Sequence, residues 1–73
     1  MTKLGEYLSQ KSVNKSDVSR KTGIGKSRLS ELTTKVSAKL RADELYLIAL
    51  AIGVNPCDML DTLYGDLKEK INK

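Results

Sequence analysis

The segment NKSDVSRKTGIGKSRLSEL, residues 14–32, decides the fold. Asn14 with Asp17 three positions later is typical of a helix start, where the first side chain accepts hydrogen bonds from free backbone N–H groups. Gly23 tolerates the left-handed backbone conformation that ends such a helix, and Gly25 can begin the next one. The segment therefore predicts two short helices, residues 14–22 and 26–33, joined by a tight turn.

The chain on both sides of this segment also favours helices. Apolar residues recur at spacings of three and four, and the only proline is Pro56. We expect a first helix capped by Thr2 and ending near Lys11, and a fourth helix from residue 42 to residue 52. Asn55 followed by Pro56 predicts the start of a fifth helix, because proline is well tolerated at the first helical position.

The length of 73 residues allows one hydrophobic core and so one domain. We predict an all-α, compact five-helix domain over residues 1–64, followed by a tail over residues 65–73 that can form a short helical extension. Residues 34–41 show no periodicity and are expected to form a loop anchored by Val36 and Leu40. An apolar stripe continues into the tail and comprises Leu60, Leu63, Leu67 and Ile71, and in the tail it can pack on the core, fray or bury itself in a second subunit.

The charge is unevenly distributed along the chain. Residues 11–41 hold nine basic residues against two acidic ones, a net charge of +7, whereas residues 42–73 hold three lysines against six acids, a net charge of −3. The total is +4. A basic segment is often only a solvated surface, but this one coincides with the two short helices and suggests an anionic partner.

The composition excludes several functions. The chain has no histidine and a single cysteine, Cys57, which removes a disulfide framework, a Cys/His zinc site and histidine-based catalysis. The run GIGKS resembles the end of a phosphate-binding loop, but Arg20 stands where that motif needs glycine. We therefore predict no enzyme activity, no metal, no cofactor and no small-molecule ligand. The lone thiol and the lack of a membrane-spanning stretch suggest a cytoplasmic protein without a membrane partner.

The second short helix has a free polar face. At 100° per residue, Leu29 and Leu32 point to the core, while the opposite face holds Ser27, Ser30, Glu31 and Thr34, with Lys26 and Arg28 at its edges. A helix about 10 to 12 Å across fits the major groove of B-DNA, which is about 12 Å wide. The free N–H groups near residues 14–16 and 25–27 can each bind a phosphate.

These residues resemble the helix-turn-helix of lambda repressor and Cro-like (XRE-type) DNA-binding proteins. Residues 45–60, which include AIGVNPCDML, are similar to the fourth and fifth helices of that family, so the resemblance covers about residues 4–63. It implies a lambda-repressor-like domain that binds double-stranded DNA with the helix at residues 26–33 in the major groove.

The resemblance also implies which positions touch DNA. By position, base contacts fall to Lys26, Ser27, Arg28 and Glu31. Contacts to phosphate are expected at Lys15, Gly25, Thr34, Lys35, Lys39 and Arg41. Two departures from the family pattern stand out: Thr33-Thr34-Lys35 replaces a turn such as Glu-Asn-Gly, and Gly25 replaces a serine or threonine cap.

Alternatives to these contacts remain open. Arg28 can read guanine or pair with an acid such as Glu31, and Glu31 can accept from cytosine or orient Arg28 or Lys35. Lys11, Arg20 and Lys21 are interpreted as solvated surface.

Two functions are consistent with these features. The first is a sequence-specific transcriptional regulator, with a homodimer formed through Leu60, Leu63, Leu67 and Ile71. The second is an antitoxin-like or adaptor module that uses the same fold to bind protein.

Overall fold

The computed structural model describes residues 1–72, which form five α-helices and a terminal 3₁₀-helix. The helices are α1 (Lys3–Gln10), α2 (Lys15–Thr22), α3 (Lys26–Thr34), α4 (Ala42–Ile52) and α5 (Pro56–Tyr64), followed by the 3₁₀-helix Gly65–Lys70. The prediction of an all-α, five-helix domain is confirmed. None of the helices in residues 1–72 is long and apolar enough to cross a membrane.

The predicted helix starts at Asn14 and Asn55 and the predicted end at Gly23 are confirmed, whereas α3 ends at Thr34, one residue later than predicted. The Asn14 side chain accepts from the backbone N–H groups of Ser16 and Asp17, at 2.8 and 3.3 Å. Asn55 accepts from the second residue of α5 at 2.8 Å. Gly23 ends α2 in the left-handed region, with φ of 78°. These local bonds satisfy N–H groups that the first turn of a helix leaves free.

The hydrophobic core receives side chains from all five helices and from the turn between α2 and α3. Its buried residues are Leu4, Leu8, Val18, Ile24, Leu29, Leu32, Leu45, Ile48, Ala49, Met59 and Leu63. Burying this apolar surface supplies most of the free energy that opposes chain entropy in so small a domain. The other helices therefore act together to hold α3 in a fixed position.

Hydrogen bonds connect the N-terminus of α1 to the C-terminal end of α3. The Thr2 hydroxyl caps α1 by accepting from Gly5 N–H and donates to the Leu32 carbonyl at 2.7 Å. The Thr2 backbone N–H donates to the Thr33 carbonyl at 3.0 Å. Gly5 is buried here, and a Cβ at this position would collide with the same carbonyl oxygen. The two helices can approach this closely because residue 5 has no side chain.

Two predictions about apolar residues are wrong. Val36 does not anchor its loop, because it is 82% exposed and Ala38 and Leu40 pack on the core instead. Leu63 is only 3% exposed and belongs to the core, so it is not available to a second subunit.

The remaining members of the predicted stripe are accessible. Leu60 and Leu67 are about half exposed and Ile71 is almost fully exposed. These residues would share one face only if an α-helix continued through Gly65, but the 3₁₀-helix has about three residues per turn and changes which residues share a face. Asp66 in this 3₁₀-helix pairs with Lys3 of α1 at 3.1 Å. The last residue of the predicted tail, Lys73, lies outside the described residues.

Candidate nucleic-acid interface

The turn between α2 and α3 is held by side-chain hydrogen bonds. The Ser19 hydroxyl donates to the Ile24 carbonyl at 2.6 Å, and the Thr22 hydroxyl accepts from the Ile24 N–H at 3.1 Å. The Ile24 side chain is buried in the core. Because both backbone groups of this residue are bonded to α2, the orientation of α3 relative to α2 is fixed.

The two faces of α3 differ sharply. Leu29, Leu32 and Thr33 are buried. The exposed residues are Lys26, Ser27, Ser30, Glu31 and Thr34. Thr33 was not predicted to point inward; its hydroxyl shares its one proton between the carbonyls of Leu29 and Ser30, which removes the penalty for burying a polar group. The outer face of α3 is therefore polar along its length.

The start of α3 has free backbone donors. Gly25 is the N-cap residue, with φ of −62° and ψ of 151°, and it provides no side-chain cap. An added Cβ at Gly25 would meet no other atom within 4 Å, so the backbone is open to approach. At α2, by contrast, Asn14 already occupies the N–H groups of Ser16 and Asp17. Of the two predicted phosphate-binding turns, the one before α3 has the more accessible donors.

The Arg28 side chain forms hydrogen bonds with other residues of the domain. Its Nε donates to Glu44 Oε2 at 2.9 Å, and its Nη2 donates to Glu44 Oε1 at 3.0 Å and to the Lys39 carbonyl at 2.7 Å. The acid that pairs with Arg28 is therefore Glu44 at the start of α4, not Glu31. The hydrogen bond from Arg28 is the main reason that the pKa of the buried Glu44 carboxyl is lowered.

Glu31 lies closer to Lys35, with 3.9 Å between the carboxylate and the ammonium nitrogen. Both side chains are largely exposed, so this pair contributes little to stability and can open at low cost. Arg41 lies 3.3 Å from Asp43 in a similarly exposed pair.

The predicted phosphate-contacting residues lie at the start of α2, at the two ends of α3 and in the loop before α4. Lys15 is exposed at the first position of α2, Lys35 follows the end of α3, and Lys39 and Arg41 are exposed in the loop before α4. The bond between Arg28 and the Lys39 carbonyl brings this loop beside the start of α3. Thr34 differs, because its hydroxyl donates to the Ser30 carbonyl at 2.6 Å and has no proton left for a phosphate in this rotamer.

The family model described as a Cro/C1-type HTH DNA-binding domain matches residues 3–67, which is most of the chain. The chain belongs to the Cro/C1-type helix-turn-helix family. The family is one of DNA-binding domains, in agreement with the polar outer face of α3 in this Cro/C1-type domain. No curated protein and no solved structure matches the chain.

Sequence reasoning missed two residues that shape this part of the Cro/C1-type domain. In the sequence, Glu44 is only an acid in the first turn of α4, a position that the helix dipole favours, although its carboxylate binds Arg28 sixteen positions away. Gly5 was not singled out, although it sets the distance between α1 and α3. No local pattern marks either contact, since both depend on the packing of separate helices.

Proposed function

We propose that this Cro/C1-type domain is a sequence-specific transcriptional regulator that places α3 in the major groove of double-stranded DNA. The observation that carries the proposal is the polar outer face of α3, which is opposed by a fully buried inner face. A helix held this rigidly can present its side chains to base edges without rearranging.

Lys26, Ser27 and Glu31 are the proposed base-contacting residues. Lys26 and Ser27 occupy the first turn of α3, which enters the groove first in this class of domain. Glu31 lies one turn further and can accept from cytosine once its exposed pair with Lys35 opens. Ser30 shares the exposed face with Ser27 and is a further candidate that the sequence prediction did not include.

Phosphate contacts are proposed on both sides of α3. The free N–H groups after Gly25 and the ammonium group of Lys15 would bind one strand, while Lys35, Lys39 and Arg41 would bind the other. Such contacts supply most of the affinity and make it depend on salt.

A homodimer would bring two such surfaces to one DNA site. With Leu63 in the core, the accessible part of the predicted stripe is Leu60, Leu67 and Ile71. A two-fold dimer through these residues would require half-sites about one helical turn apart, roughly 34 Å. Leu60→Arg should then lower the oligomeric mass in sedimentation while the single chain stays folded by circular dichroism, because residue 60 is 48% exposed outside the dimer.

A second candidate function is an antitoxin-like or adaptor module that binds protein. The observation that favours it is the outer surface of α4, where Tyr46, Leu47 and Leu50 are 55%, 39% and 55% exposed. Clustered exposed apolar side chains are typical of protein interaction sites.

The deciding experiment is selection of bound duplexes from a random pool, followed by affinity measurements at several salt concentrations. DNA binding through about five phosphates predicts a log–log salt slope of about −4 to −5. Lys26→Ala and Ser27→Ala should change the selected sequence. Lys68→Ala removes the same charge as Lys26→Ala from the 3₁₀-helix and should leave the sequence unchanged. Failure to enrich any sequence, together with a slope near zero, would favour the protein-binding alternative.

A further inference from the structure

Arg28 has few donors left for DNA. A guanidinium carries five N–H groups, one on Nε and two on each terminal nitrogen. The Nε proton and both protons of Nη2 are used by Glu44 and by the Lys39 carbonyl. A bidentate contact to guanine needs donors on two neighbouring nitrogens, and only Nη1 is free. In this arrangement Arg28 cannot form the pair of hydrogen bonds by which an arginine recognises guanine.

Releasing Arg28 would leave Glu44 unpaired. Glu44 is 8% exposed, and its two carboxylate oxygens accept three hydrogen bonds, two from Arg28 and one from the Arg41 backbone N–H at 2.9 Å. An uncompensated buried carboxylate costs more free energy than one bidentate base contact contributes to discrimination. The ion pair is therefore expected to persist when DNA is bound.

The same hydrogen bonds fix the loop before α4. Arg28 binds the carbonyl of Lys39, and Glu44 binds the N–H of Arg41, so the backbone is held on both sides of Leu40. Between them, these bonds connect α3, the loop and the first turn of α4. The side chains of Lys39 and Arg41 themselves are exposed.

We propose that Arg28 is a positioning residue, not a base reader: with Glu44 it sets the register of residues 39–41 against α3, so that Lys39 and Arg41 meet the phosphate backbone. The proposal rests on the proposed function, because it assigns a role within the same DNA-binding surface. It means that the choice of DNA sequence depends on Lys26, Ser27, Ser30 and Glu31, while Arg28 affects affinity through the loop.

The first test compares full-chain variants in duplex selection and in salt titration. Arg28→Lys keeps the charge but cannot form the bidentate pair, and Glu44→Gln keeps the shape but removes the charge. The proposal predicts an unchanged selected sequence and a salt slope smaller in magnitude by about 1 to 2, because one or two phosphate contacts are lost. The two effects on Kd should be non-additive in the double variant, since both break one interaction. A changed base at one position of the selected site, with an unchanged slope, would overturn it.

The second test needs no DNA. In amide hydrogen exchange, Arg28→Lys should increase exchange at Arg41 by at least tenfold, while the amides of Leu29 and Ile48 in the core remain protected. A global rise at all three sites would mean that the pair only stabilises the fold, and no rise at Arg41 would mean that the pair does not hold the loop. Either result overturns the proposal.

The two tests also separate this proposal from the proposed function. If the wild-type chain enriches no sequence, the proposed function fails, and the DNA-positioning role of Arg28 fails with it even when the exchange result is as expected. If the wild-type chain enriches a sequence and Arg28→Lys shifts it, only the positioning proposal fails.

Discussion

Gly5→Ala is expected to destabilise the domain, although alanine favours helix formation more than glycine does. In an exposed helix interior the substitution would stabilise by about 1 kcal/mol. Here the new methyl group would collide with the Thr33 carbonyl and with the side chain of Met1. The Met1 side chain is flexible and can move aside. The carbonyl is part of the backbone at the end of α3, so α1 must shift away from α3.

The size of the effect follows from what that shift disrupts. Overpacking against a rigid neighbour typically costs about 1 to 3 kcal/mol. Separation of the helices also weakens the hydrogen bonds from Thr2 to the carbonyls of Leu32 and Thr33, each worth about 1 kcal/mol. After the gain in helix propensity is subtracted, we expect a net loss of about 2 kcal/mol. For a domain of this size the melting temperature should fall by roughly 8 to 16 °C.

Thermal unfolding followed by circular dichroism measures this effect, with Gly65→Ala as the matched control. Gly65 has right-handed backbone angles, φ of −59° and ψ of −26°, and an added Cβ would contact nothing within 4 Å. Gly65→Ala should therefore stabilise by about 0.4 to 1 kcal/mol, chiefly by restricting the unfolded chain. A Gly5→Ala protein that melts at or above the wild-type temperature would refute the close approach of α1 and α3.

Three further predictions concern stability. The hydrogen bond from Arg28 lowers the pKa of Glu44. The ionised carboxylate therefore stabilises the folded state above the unfolded-state pKa, about 4.3, and this stabilisation is lost as the pH falls through the folded-state pKa. In urea unfolding, Glu44→Gln should lose less free energy of unfolding between pH 6 and about pH 3 than the wild type does. Asn55→Ala removes the cap of α5 and should cost about 1 kcal/mol in the same assay, whereas Asn55→Asp should retain most of the stability; equal stability of all three proteins would contradict the capping role. Ile48→Ala leaves a cavity at a fully buried position and should lower the free energy of unfolding by about 2 to 5 kcal/mol. Leu47→Ala changes a neighbour that is 39% exposed and should cost much less. Similar losses in both variants would mean that the buried face of α4 is wrongly assigned.

The helix boundaries could be predicted because they depend on short-range chemistry. Asn14 and Asn55 accept hydrogen bonds from residues two or three positions away, and Gly23 reverses the chain by its own backbone conformation. The burial of Leu29 and Leu32 also follows from helical spacing alone. These features define the helix-turn-helix without reference to the rest of the chain.

The predictions that are wrong concern contacts between residues that are far apart in the sequence. The sequence offers Glu31 one turn from Arg28, and nothing local indicates that Glu44 lies nearer in space. In the loop, Val36 is as apolar as Leu40, and only the packing decides which one turns inward. Leu63 fits both a core position and an exposed stripe, because the spacing of apolar residues does not show where an α-helix gives way to a 3₁₀-helix.

The division of α3 into two faces has a consequence for how such a domain can diversify. Four residues hold α3 in place: Leu29, Leu32, Thr33 and Arg28, which pairs with Glu44. Along the chain they alternate with the residues proposed to contact bases, here called the reading residues: Lys26, Ser27, Ser30 and Glu31. Because substitutions at exposed helix positions usually change stability by less than about 0.5 kcal/mol, the reading residues can be exchanged without unfolding the protein. A library randomised at those four positions, with Arg28 and Glu44 kept constant, should therefore yield folded proteins, and the proposed function predicts that these select different DNA sequences.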